Sequence, residues 1–226
     1  MLSSMDADPI IVNNEQPDLI EFNPSNSNKA EVLPVIWEAI ESLASPELMN
    51  RITGLGRIIK LDAIRQHPLV VYVLMTRITE PDIELRTRIV KLLGSILDLD
   101  LRESKKAALS LEAVKKTLTS ALSGIRTRQI FALLQVVEFD KSAEEAVSSM
   151  LSYCSFAGGH LSQILSNRTI QLPIRRQAAH FIGRIGYLDA LPALERLASR
   201  LESRRDEEDG GILLGLQETI KLLYTP

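Results

Sequence analysis

Apolar residues recur at helical spacing along most of this chain. Between 85 and 100, Ile89, Leu92, Leu93 and Ile96 fall three and four residues apart, and between 125 and 140 Ile130, Leu133, Leu134 and Val137 repeat the pattern. Each such run is followed by a second candidate helix: PLVVYVLMTRI after the run at 47–62, then LEAVKKTLTSAL, SAEEAVSSMLSY and LPALERLASRL. The pattern predicts helix pairs from about residue 45 onward and no sheet.

The runs also resemble one another. LRTRIVKLLGSILDLD at 85–100, IRTRQIFALLQVVEFD at 125–140 and IRRQAAHFIGRIGYLD at 174–189 align directly, and ELMNRITGLGRIIKLD at 47–62 joins them with Gly56 in the column of Gly94 and Gly183. The third copy has Leu134 there. Each copy closes on an aspartate (Asp62, Asp100, Asp140, Asp189), and successive aspartates lie 38, 40 and 49 residues apart. A period of roughly 40 residues belongs to stacked helical repeats. The column glycines are expected to admit a neighbouring helix at close range. An aspartate at the junction is expected to accept from free N–H groups of the next helix, or to close the turn through its own backbone. The long third interval holds an insertion near 156–173, with a short helix around Leu161 to Leu165.

The fourth copy carries a specific likeness. Arg175, Ala178, Ala179, Gly183, Gly186, Asp189, Pro192, Ala193 and Leu194 stand where HEAT repeats of the phycobilisome-lyase type have arginine, paired alanines, a glycine-plus-glycine helix end, an aspartate turn and a Pro-Ala-Leu second helix. The chain resembles that family over about 45–201, with the first three copies matching in outline. The resemblance implies a right-handed α-solenoid of about four helix pairs that binds other macromolecules, and it specifies no activity. Flanking helices would cap the stack: AEVLPVIWEAIESLA at 30–44, begun or interrupted near Pro34, and ILLGLQETIKLL after a charged loop near 202–211. Residues 1–29 are rich in Asn, Asp, Ser and Pro and read as extended or disordered, leaving 30–226 as the repeat domain.

Composition narrows the function classes. With 26 basic and 29 acidic residues the net charge is −3, which supplies no global attraction to nucleic acid or an anionic membrane. Aromatics at 4% are too few for a base-stacking platform, and the one tryptophan, Trp37, lies outside the repeats. A single cysteine excludes an internal disulfide framework and fits a reducing compartment. Without a signal-peptide pattern or an apolar run long enough for a membrane span, a cytoplasmic location is the expectation.

Candidate chemistry is sparse. Cys154 and His160 flank Gly158-Gly159, but a nucleophile–base pair needs an orienting third group and zinc needs more ligands. GLGRI and GRIG lack phosphate-loop spacing. No catalytic residue, metal site or cofactor is expected. The column Arg86, Arg126 and Arg175 would form a row along one edge, able to bind phosphates or to pair with carboxylates such as Asp82, Glu84 or Glu144, and the pairing is preferred. The second helices supply the candidate partner surface. Lys115, Lys116, Glu195 and Arg196 mark water-facing positions, whereas the first copy has an all-apolar run with Val71, Tyr72 and Met75 as an adhesive strip. The segment at 10–22 is a candidate removable cover for that strip. The leading functional expectation is a non-enzymatic protein scaffold. A nucleic-acid binder, with or without base repair, and a chromophore-lyase-like helper are the alternatives.

Overall fold

Helix ends in this chain are set by local punctuation. Pro68 opens a helix at its first position, where the missing N–H costs nothing. Asp82 caps another by accepting from Leu85 N at 2.8 Å, and Gly186 closes a third in the left-handed conformation at φ 82°, with Tyr187 N–H donating back to Ile182 O. The computed structural model describes residues 27–99, 105–204 and 207–225. Contacts divide the chain into two units, Met1–Val35 and Ile36–Pro226, with the boundary inside α1 (Ser27–Ala44). In the first unit the described residues are the opening turns of α1. The segment at 10–22 and Asp100 lie outside the described residues.

The second unit continues with α2 (Leu48–Lys60), α3 (Ala63–Gln66), α4 (Pro68–Thr76), α5 (Ile83–Leu97), α6 (Lys105–Ser123) and α7 (Thr127–Phe139). It ends with α8 (Glu144–Ser152), α9 (Ala157–Ser166), α10 (Leu172–Ile185), α11 (Leu191–Arg204) and α12 (Glu207–Tyr224). The described residues hold no strand. Helices pack on near neighbours in sequence: α4 on α6, α5 on α7 and α8, α7 on α9 and α10, and α10 on α12. One buried apolar cluster runs from Ile36 to Leu223.

Three boundaries differ from the sequence expectation. Pro34 lies inside α1 beside exposed Leu33 and Val35, where water can serve the carbonyl that loses its backbone donor. The charged stretch near 202–211 is helical on both sides of residues 205–206, since α11 runs to Arg204 and α12 starts at Glu207. The insertion is core, because α9 packs between α7 and α10 with Ala157, Leu161, Ile164 and Leu165 buried.

The aspartate column does three different jobs. Asp140 accepts from Ser142 N at 2.9 Å and so caps the turn before α8. Asp62 bends the chain through its own backbone, at φ 48°. Asp189 sits inside a single 3₁₀ turn, Leu188–Ala190, with its carboxylate against Gly158 in the first turn of α9. An anion there faces the positive end of that helix.

The glycine column is corrected in the first copy. A Cβ on Gly94 would collide with Ala146 of α8, its Cα only 2.7 Å away, and one on Gly183 would meet Thr219 of α12 at 3.2 Å. At Gly56 a Cβ would meet nothing within 4 Å. The packing glycine of α2 is Gly54, whose Cβ would fall 2.6 Å from Leu43 N and 2.7 Å from Ala39 O of α1. Two glycines two residues apart therefore have opposite expected responses. Gly54→Ala forces backbone apart and should destabilise by about 1–3 kcal/mol, whereas Gly56→Ala should stabilise by about 0.5–1 kcal/mol through helix propensity. Urea denaturation of the two variants measures both signs.

Candidate partner-binding surface

The arginine column separates into two classes. Arg86 and Arg175 both occupy the fourth position of their helices, α5 and α10, and both are buried, at 8% and 7% exposure. Arg86 Nε donates to Glu80 O at 2.6 Å and its Nη1 to Gln135 Oε1 of α7 at 2.8 Å. Arg175 Nε donates to Leu165 O at 2.9 Å. Each reaches back to a carbonyl in or before the connection that leads into its own helix. Burial lowers the Arg86 pKa, and the nearby charges of Glu80 and Asp82 oppose that shift. Arg86 thus uses a backbone carbonyl and an amide as acceptors, with Asp82 acting on it through its charge.

Arg126 is exposed and precedes α7, which starts four residues later in the shared register than α5 and α10. The cause is a short connection. Only 124–126 separate α6 from α7, so no looped-back carbonyl awaits a clamp. Arg126 stays extended, its N–H accepted by Gln129 Oε1 at 2.9 Å, while Ile125 keeps the buried place that Leu85 and Ile174 hold in their copies.

Further cations are used in the same way. Arg51 donates to Ser45 O and Pro46 O and pairs with the fully buried carboxylate of Glu80 at 2.9 Å. Lys115, expected on a water-facing side, donates to Leu97 O at 3.2 Å and to Leu99 O, satisfying the end of α5. Lys91 of α5 pairs with Asp140 Oδ2 at 2.6 Å, and this bond is the main reason the Asp140 carboxyl falls from 3.8 to about 2. Glu144 is held down chiefly by the hydrogen bond from His180, which with Arg184 ties α10 to α8.

The apolar strip of α4 needs correction. Val71 and Met75 are core residues, 0% and 5% exposed, because α6 packs across α4, and only Tyr72 stands out at 59%. Val71 and Met75 therefore cannot meet a partner. Lys116, Glu195 and Arg196 are exposed as expected. Tyr72 and Lys116 belong to the packed pair α4 and α6, whereas Glu195 and Arg196 lie on α11, which packs on α12 and α9. Glu195 also accepts from Tyr224 Oη at 2.5 Å.

Cys154 and His160 do not form a reactive pair. The thiol is buried, which pushes its pKa up and disfavours the nucleophilic thiolate. His160 Nδ1 lies 2.8 Å from Thr127 Oγ1. The same hydroxyl lies 3.1 Å from Gln163 Oε1, so His160 is engaged with Thr127 of α7 rather than with the thiol. Among the described residues no group of three or more His, Cys, Asp or Glu side chains is placed to hold a metal ion. No described helix is long and apolar enough to cross a membrane. Comparison with protein-family models, curated proteins and solved structures finds no match.

Sequence reasoning missed a groove of about 450 Å³ between α10 and α12. Its signal was present as spacing: Arg176, His180 and Arg184 recur every four residues on α10, opposite Gly211 and Gly215 on α12.

Two measurements check this account. Arg86→Gln and Arg175→Gln should each cost about 1.5–3 kcal/mol, as loss of charge-assisted bonds to buried acceptors does, while Arg126→Gln should stay within about 0.5 kcal/mol of the parent. For Asp140 the folded carboxyl titrates below its ordinary value, so its contribution is present above 3.8 and lost as pH falls toward about 2. Asp140→Asn should therefore lower stability at neutral pH, and the gap from the parent should close across that acid window.

Proposed function

We propose that this chain is a non-enzymatic protein-binding scaffold built as a right-handed solenoid of HEAT-like helix pairs. One observation carries the reading: the cations best placed by the repeats to hold phosphates, Arg86 and Arg175, are buried and spent on backbone carbonyls. A phosphate-binding row needs exposed guanidinium groups, and Arg126 alone of the column offers one. The packing of α5 on α7 and of α7 on α10 supports the repeat reading, since each pair joins first helices of successive copies, and the terminal α12 continues the row by packing on α10. Exposed, mixed-charge faces on the second helices, with Lys116, Glu195 and Arg196, suit reversible protein contacts over nucleic acid. The protein would act by holding partners, with its own chemistry confined to hydrogen bonds and ion pairs.

The test is affinity capture on the full chain with and without nuclease, paired with duplex DNA titration at several salt concentrations. A captured protein should survive nuclease and be lost in a Lys116→Glu, Arg196→Glu variant of parental stability, with no salt-dependent DNA binding. Capture that vanishes with nuclease, together with affinity falling steeply with salt, would replace the scaffold by a nucleic-acid binder.

A further inference from the structure

On α12, Leu214 and Leu222 are exposed at 65% and 61%, with Leu222 at the wall of the α10 groove. Beside them lie two glycines. A Cβ on Gly215 would meet nothing within 4 Å, and Gly211 is covered by the guanidinium of Arg176, reaching over from α10. Leu214 and Gly215 thus place a large apolar knob next to an empty socket on one helix face.

Charge follows the same layout. On α10, His180 and Arg184 are engaged by Glu144 and Glu145 of α8, but Arg176 forms no ion pair among the described residues. Glu218, exposed on α12, likewise forms none there. Both line the groove between α10 and α12 without pairing to each other. Arg176 lies over Gly211, and Glu218 is seven residues further along α12, about 10 Å at the helical rise.

We infer that α12 pairs antiparallel with α12 of a second copy, about a two-fold axis passing between Leu214 and Gly215. In that register Leu214 of each copy enters the socket over Gly215 of the other. The same axis brings Glu218 of each copy beside Gly211 of the other, where Arg176 waits. One symmetry element satisfies the knob, the socket and both unpaired charges, which is the signature of an isologous interface. The mixed walls fit a second copy better than a uniformly acidic or basic peptide, because the face is complementary to itself. This inference is independent of the scaffold reading, since self-association needs no foreign partner.

The experiment is sedimentation equilibrium on the full chain at concentrations up to the submillimolar range, with thermal melts confirming that each exposed-site variant folds. The parent should sediment at twice 25.2 kDa. Arg176→Glu alone, Glu218→Arg alone and Leu214→Arg alone should each weaken self-association by roughly a hundredfold or more, because each change acts twice across the axis. Mixing the Arg176→Glu chain with the Glu218→Arg chain should restore a dimer, as should carrying both changes in one chain, since each reversed charge then meets its complement. A parent that stays at 25.2 kDa overturns the inference. So does a dimer indifferent to Leu214→Arg, or single-charge variants that fail to recover when mixed.

Discussion

Helix termini leave carbonyls with no partner inside their own helix, and in a stack of short helices many of these ends are buried. In this protein side chains from adjoining segments supply the missing donors. Arg51 serves Ser45 and Pro46, Arg86 serves Glu80, Lys115 serves Leu97 and Leu99, Tyr187 serves Leu151, and Arg175 serves Leu165. Long polar side chains suit the task because their aliphatic stems lie along apolar surface while the donors reach a carbonyl. The apolar cluster provides most of the driving force for folding, and these donors keep the buried connections from being a net cost.

The same constraint bears on function. A guanidinium held in the core by a backbone acceptor is unavailable to a ligand, so the regular column of arginines is a feature of architecture at Arg86 and Arg175. What remains at the surface is mixed in sign and distributed over several helices. That composition suits the recognition by complementary patches proposed above.

Much of the helical content was legible in the sequence because the helical period is written in apolar positions. Most helices follow that pattern, and Leu85, Ile125 and Ile174 hold equivalent buried places. Details that depend on connection length were not legible. Arg126 aligns with Arg86 and Arg175 letter for letter, yet a connection of three residues before α7 leaves it at the helix entrance. Gly56 aligned with Gly94, but the close approach to α1 falls at Gly54, because spacing within one helix does not say which face a neighbour will choose. Val71 and Met75 looked like an adhesive strip only because the sequence does not reveal that α6 lies across α4. The α10–α12 groove was likewise hidden, being a property of two helices separated by α11.

The claim that buried arginines clamp backbone carbonyls is tested most directly by the exchange rates of individual arginine Nε protons, followed by nuclear magnetic resonance with isotope-labelled arginine. The Nε protons of Arg86 and Arg175 should exchange slowly, at rates limited by unfolding of the surrounding helices, while that of Arg126 exchanges as in a free peptide. Equal and rapid exchange at all three positions would show that the two side chains are not held by Glu80 and Leu165, and the architectural reading of the arginine column would fail.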